Sequence, residues 1–130
     1  TLGSFALVSG LQAGDDDTKM AADMKLVSKQ LKSLRTIPKD DFAAAAEAAR
    51  KAHEALLSAM QYTAVMVEEM PAGDEKSKAL ADSRRLMGLS YAALCELESA
   101  YLEKDPAKVA AAMTKVKGTK KEGHKKYTDD

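Results

Sequence analysis

In this chain of 130 residues, 20 Lys and Arg balance 20 Asp and Glu, so no net field draws it to nucleic acid or to an anionic membrane surface. The single cysteine, Cys95, rules out an internal disulfide, a covalent CxxCH haem attachment and a cysteine-rich zinc site. Apolar residues make up 45 % of the chain but aromatic residues only 5 %, and the excess of Ala, Leu, Val and Met favours helix over sheet.

Thr1 to Ala13 is uncharged, with Leu2, Phe5, Leu7, Val8 and Leu11 among small residues, and the acidic run Asp15-Asp16-Asp17 follows. It reads as the tail of a secretory signal with a cleavage point after Ala13, or else as a short apolar extension of the domain that occupies residues 14–130. No apolar run approaches the roughly 20 residues of a membrane-spanning helix. From Thr18 the pattern turns helical: Met20, Met24, Val27, Leu31 and Leu34 recur in steps of four and three, which predicts a helix over about 18–36. Ile37-Pro38 ends it, because the residue before proline avoids the helical region.

Asp40 or Asp41 then caps a second segment in which Phe42, Ala46, Ala49, His53, Leu56, Met60, Val67 and Met70 keep the period up to Pro71-Ala72-Gly73. His53 reads as a packed or half-exposed structural residue. A third segment opens at Asp74 and carries Leu80, Met87, Tyr91, Leu94, Leu97 and Tyr101, with Cys95 read as a small core residue. Asp105-Pro106 joins an N-cap acceptor to a proline at the first helical position. The fourth segment carries Val109, Met113, Val116 and Tyr127, and its last turns hold Lys117, Lys120, Lys121, Lys125 and Lys126, cations that suit a helix C-terminus. Four amphipathic helices with short breaks predict an all-α, antiparallel up-down-up-down four-helix bundle.

A di-metal bundle site needs Glu three residues before His, yet Arg50 precedes His53 and Lys121 precedes His124. No histidine pattern fits a nucleophilic triad or a zinc hydrolase either. The lysines of the fourth segment lack the aromatic residues that a nucleic-acid surface uses for stacking. The predicted topology does bring the start of the first helix and the end of the fourth to one end of the bundle. Met24 and His124 lie there, a thioether and an imidazole, the donor types of low-spin haem iron. By spacing alone, Met24 reads first as a core methionine and His124 as an ordinary exposed helix-end histidine.

The segment Asp23-Met24-Lys25-Leu26-Val27-Ser28-Lys29-Gln30-Leu31-Lys32 resembles the first helix of the soluble cytochrome b562 family, in which the axial methionine is followed seven residues later by a Leu-Lys pair. Val116 to Tyr127, with its His124-Lys125-Lys126-Tyr127, is similar to that family's last helix. More loosely, the resemblance spans Thr18 to Tyr127. It implies Met24 and His124 as axial ligands of one non-covalent haem b, apolar packing from Val27, Met87 and Val116, and Lys120 as the basic residue one turn before the histidine. With both axial positions filled by protein, it implies electron transfer and no enzyme activity. The expected setting is the periplasm, as a monomer that meets redox partner proteins and neither nucleic acid nor a membrane span. The alternative is a haem-free helical bundle with a partner-binding or metal-binding role.

Overall fold

The computed structural model describes the backbone of residues 2–127 and the side chains of residues 18–127. Its elements are α1 (Leu2–Ser33), α2 (Phe42–Ala59), α3 (Val65–Glu68), α4 (Asp74–Leu102) and α5 (Pro106–Tyr127), and there is no strand among the described residues. The helical class expected from the composition is therefore the observed one. No helix among the described residues is long and apolar enough to cross a membrane. The reading of Thr1 to Ala13 as a signal remnant rests on side chains outside the described residues.

Two boundaries differ from those expected. The first helix was expected over about 18–36, but α1 is continuous from Leu2 and stops at Ser33. There the N–H groups of Leu34, Arg35 and Thr36 bond the carbonyls three residues back, and the Ser33 and Thr36 hydroxyls bond the carbonyls of Gln30 and Ser33. These side chains compete with the helical ladder ahead of Pro38. The second helix was expected to run to Met70, yet α2 stops at Ala59. Gln61 and Tyr62 again bond carbonyls three residues back, and the chain breaks before the single turn of α3. Thr63, Val65 and Val67 are β-branched and gain little from a longer helix. Val67 is only 1 % exposed, so its burial outweighs the apolar period of the sequence.

The caps explain the remaining boundaries. Asp41 accepts the Ala44 N–H at 3.1 Å and opens α2. Gly73, at φ 147°, supplies the backbone turn before α4 that L side chains rarely adopt. At the end of α4 the Asp105 N–H bonds the Ala100 carbonyl at 3.2 Å and the Lys104 N–H bonds the Tyr101 carbonyl at 3.0 Å, with Lys104 in the left-handed region at φ 55°. This is a Schellman ending with lysine where glycine is usual. Asp105 then turns its carboxylate to the N–H groups of Ala107 and Lys108, and Pro106 starts α5.

α1 packs along α2, α2 along α4 and α4 along α5, while α3 touches α4 and α5. One core draws on Val27 of α1, Ala49, Ala52, Leu56 and Ala59 of α2, Ala93, Leu94 and Leu97 of α4, and Ala112 and Val116 of α5. The buried face of α2 is nearly all alanine, and small side chains let helix axes approach closely. No seam as close as the other three joins α1 to α5 among the described residues.

Candidate functional site

Of the residues singled out from the sequence, Val27 and Val116 lie in the core, 6 % and 3 % exposed. Met24 and Met87 are half-buried and pack against that same core, as do Met20 and Met113. These four share one apolar surround because each sits on the inward stripe of its helix. Lys120 is exposed and stands outside the core, where its Nζ donates to Ser28 Oγ of α1 at 3.3 Å. His124 is half-buried in the last turn of α5.

Glu122, Lys126 and Tyr127 surround His124 in sequence, and all three reach α4. Tyr127 Oη donates to Asp82 Oδ2, Lys126 Nζ lies 3.4 Å from the same oxygen and 3.0 Å from Glu122 Oε2, and Arg85 Nη2 lies 3.4 Å from Glu122 Oε2. Arg85 also donates to Asp82 Oδ1 through Nε at 3.0 Å and Nη2 at 2.9 Å. The Tyr127 hydroxyl above all, and then Arg85, hold the Asp82 carboxyl down to about 2. Further along, Ser90 Oγ donates to Thr119 Oγ1 at 2.6 Å and Lys115 Nζ to Glu96 Oε2 at 3.0 Å. As residue numbers rise along α4 their partners fall along α5, so these two helices run antiparallel.

A second polar group, between α2 and α4, was not legible in the sequence. His53 Nε2 lies 2.6 Å from Glu98 Oε1, with the two side chains 14 % and 24 % exposed. The Tyr91 ring meets the imidazole edge to face, centroids 5.5 Å apart. Burial pushes the Cys95 thiol up, while its hydrogen bond with Tyr91 pulls the other way, so the thiol stays protonated at neutral pH. The spacing of Tyr91, Cys95 and Glu98 puts them on one face of α4, but nothing in the sequence sets that face against His53. No group of three or more His, Cys, Asp or Glu suited to a metal ion occurs among the described residues. A shallow groove of about 270 Å³ on α4 and α5 lies elsewhere, floored by Ala100, Ala111 and Ala112 and edged by the Lys108–Glu103 and Lys115–Glu96 pairs.

No family model, curated protein or solved structure matches this chain.

Proposed function

We propose that the protein is an electron carrier that holds one non-covalent haem b between Met24 and His124, in an up-down-up-down bundle. The observation that carries this reading is the Ser28–Lys120 contact across α1 and α5. Its meaning depends on helix direction, which four contacts support. Ser58, next to the end of α2, donates to Asp23 of α1 at 2.6 Å. Six residues on, α3 touches α4 and α5, and Lys76 at the start of α4 donates to the Glu68 carbonyl at 3.0 Å. Asp82, two turns into α4, holds the end of α5. Only Met60 to Ala64 link α2 to α3, and on this reading so short a connection keeps the end of α2, the start of α4 and the end of α5 at one end of the bundle. Asp23 of α1 lies there too.

α1 therefore runs away from that end and α5 runs into it. Four residues back from Ser28 is Met24, and four residues on from Lys120 is His124. Each step is about 6 Å along its helix in the same direction, which brings the thioether and the imidazole level with each other across the seam where α1 and α5 stand furthest apart. The donor set fits haem iron, and Val27, Val116 and Met87 supply the apolar wall that a porphyrin needs.

Haem bound by a methionine and a histidine takes up and gives back one electron with no position left for a substrate. The chain's part is to hold two donors in place and keep water from the iron. The cluster of Lys117, Lys120, Lys121 and Lys125 at this end suits an acidic redox partner, and the uncharged run before Asp15 supports a periplasmic setting.

Titrating purified protein with haemin tests the reading. A low-spin spectrum is expected in the parent, a five-coordinate one in Met24→Ala, and a larger loss of affinity in His124→Ala. No low-spin band in the parent, or the parent's spectrum in both variants, overturns it in favour of a haem-free bundle.

A further inference from the structure

Among the described side chains, α1 and α5 carry one carboxylate each, and both are turned away from the side on which these two helices meet. Asp23 accepts from Ser58 of α2 at 2.6 Å, and Glu122 lies 3.4 Å from Arg85 of α4. Ser28 and Lys120 mark the side that remains. Three and four residues from Ser28 stand Lys25 and Lys32, with Lys29 between them turned to solvent. Three residues from Lys120 stands Lys117, and the row continues in steps of four through Lys121 and Lys125, about 6 Å apart along the helix. All six of these lysines are exposed, and none has a hydrogen bond or ion pair among the described residues. The helix dipole accounts for cations in a last turn, which covers Lys32 and Lys125 and leaves the other four. Like charges so spaced repel, and the fold gains nothing by gathering them.

We propose that the outer face of α1 and α5 is a docking surface for an acidic protein, held by Lys25, Lys29 and Lys32 on one helix and Lys117, Lys121 and Lys125 on the other. The face covers the seam beside Met24 and His124, so a partner seated there lies against the candidate haem. That the partner exchanges electrons rests on the haem reading; the face itself does not.

The side chains of the face select a protein over other anions. The two rows contain no arginine, and Tyr127 of α5 is engaged with Asp82 of α4, so nucleic acid finds neither forked donors nor a stacking platform. Leu26 is 47 % exposed but stands three residues from Asp23, on the α2 side of α1, so a lipid surface finds no apolar wedge among the lysines. Lysine is strongly hydrated and is depleted in lasting interfaces. The complex is therefore transient, and it weakens as salt screens the rows.

Poly-L-glutamate serves as the acidic probe, and the backbone amide signals of the haem-free protein report where it sits. At low salt the shifts should cluster on residues 25–32 and 117–125 and vanish at high salt. The triple variants Lys25→Gln/Lys29→Gln/Lys32→Gln and Lys117→Gln/Lys121→Gln/Lys125→Gln should each bind about tenfold more weakly than the parent, the effect of losing three exposed charge pairs. Lys39→Gln/Lys51→Gln/Arg84→Gln removes the same charge elsewhere and should bind like the parent, with helix content by circular dichroism equal in all four proteins. An equal loss in that third variant, or a loss confined to the α5 triple, overturns the face. A DNA duplex or vesicles of phosphatidylglycerol that remain bound at a salt concentration releasing polyglutamate overturn the choice of an acidic protein. A parent that takes the probe as expected but fails to bind haemin keeps the docking face and loses the electron-carrier reading.

Discussion

Ser28 and Lys120 meet across α1 and α5, hydroxyl to ammonium at 3.3 Å, although 92 residues of chain separate them. A long lysine bridges a seam that the helix backbones leave open. With Cys95→Ser removing the native thiol, Ser28→Cys with Lys120→Cys should be joined within one molecule by a short bismaleimide. Leu26→Cys with Lys120→Cys should not, because Leu26, two residues away, is turned outward and 47 % exposed. Equal yields from both pairs would refute the register proposed for Met24 and His124.

Close packing on α2 depends on residue size. Ala49 and Ala59 are fully buried and Ala52 is 1 % exposed, between helices on both sides. Ala52→Leu should destabilise the fold by about 1–3 kcal/mol through overpacking, and Ala49→Leu by a similar amount. Urea titration of each variant provides the measurement. A neutral result would mean that the seam is loose.

Lys104 occupies a left-handed conformation that costs an L residue roughly 1 kcal/mol, and the Schellman bonds hold it there. Lys104→Gly should relieve that cost and raise stability by at most about 0.5 kcal/mol after the added freedom of the unfolded chain is deducted. Lys104→Ala should leave stability nearly unchanged, since it keeps the Cβ. Chemical denaturation of the two variants side by side separates backbone relief from loss of charge.

Asp82 makes stability depend on acid pH in a defined sense. Its pKa is lower in the folded chain, about 2, than in the unfolded one, where an aspartate titrates near about 4. Its contribution is therefore present in full above about pH 4, declines as pH falls, and is gone below about pH 2. Unfolding midpoints of the parent and Asp82→Asn should differ by a constant amount from neutral pH down to that range and then converge. A gap that persists at the acid end would mean that the carboxylate charge is not its source.

Local signals carried most of the helical boundaries. Asp41 and Asp105-Pro106 act within a few residues of themselves, so the caps they predict are the ones observed, whereas Pro71-Ala72-Gly73 precedes α4 without being the end of α2. The stripe of Met20, Met24, Val27 and Leu31 likewise faces the core as its spacing requires. The break after Ala59 could not be read this way, because Val67 and Met70 keep a helical period while the burial of Val67 is decided by α4 and α5. The partners of His53 and Tyr127 were hidden for the same reason: each lies 45 residues away, and spacing along one helix does not say which polar residue of another helix will face it. The Met24 and His124 pair was suggested by helix order and by resemblance, and its register rests on Ser28 and Lys120, neither of which carries a signal of its own.

The His53–Glu98 pair is open to a direct test of its worth. Its hydrogen bond is 2.6 Å long, and both side chains are largely shielded from water between α2 and α4. Removing either partner leaves the other with a polar group that water reaches poorly, so His53→Ala and Glu98→Ala should each cost about 1–2 kcal/mol. The double variant should cost less than the sum of the two, because the second removal strands nothing. Tyr91→Leu keeps apolar bulk but deletes the edge-to-face ring contact, and should add a smaller loss of about 0.5–1.5 kcal/mol. Haemin binding, if it depends on Met24 and His124 alone, should be unaffected by these substitutions wherever the protein stays folded. Strict additivity of the two single variants would show that His53 and Glu98 are neighbours without being energetic partners.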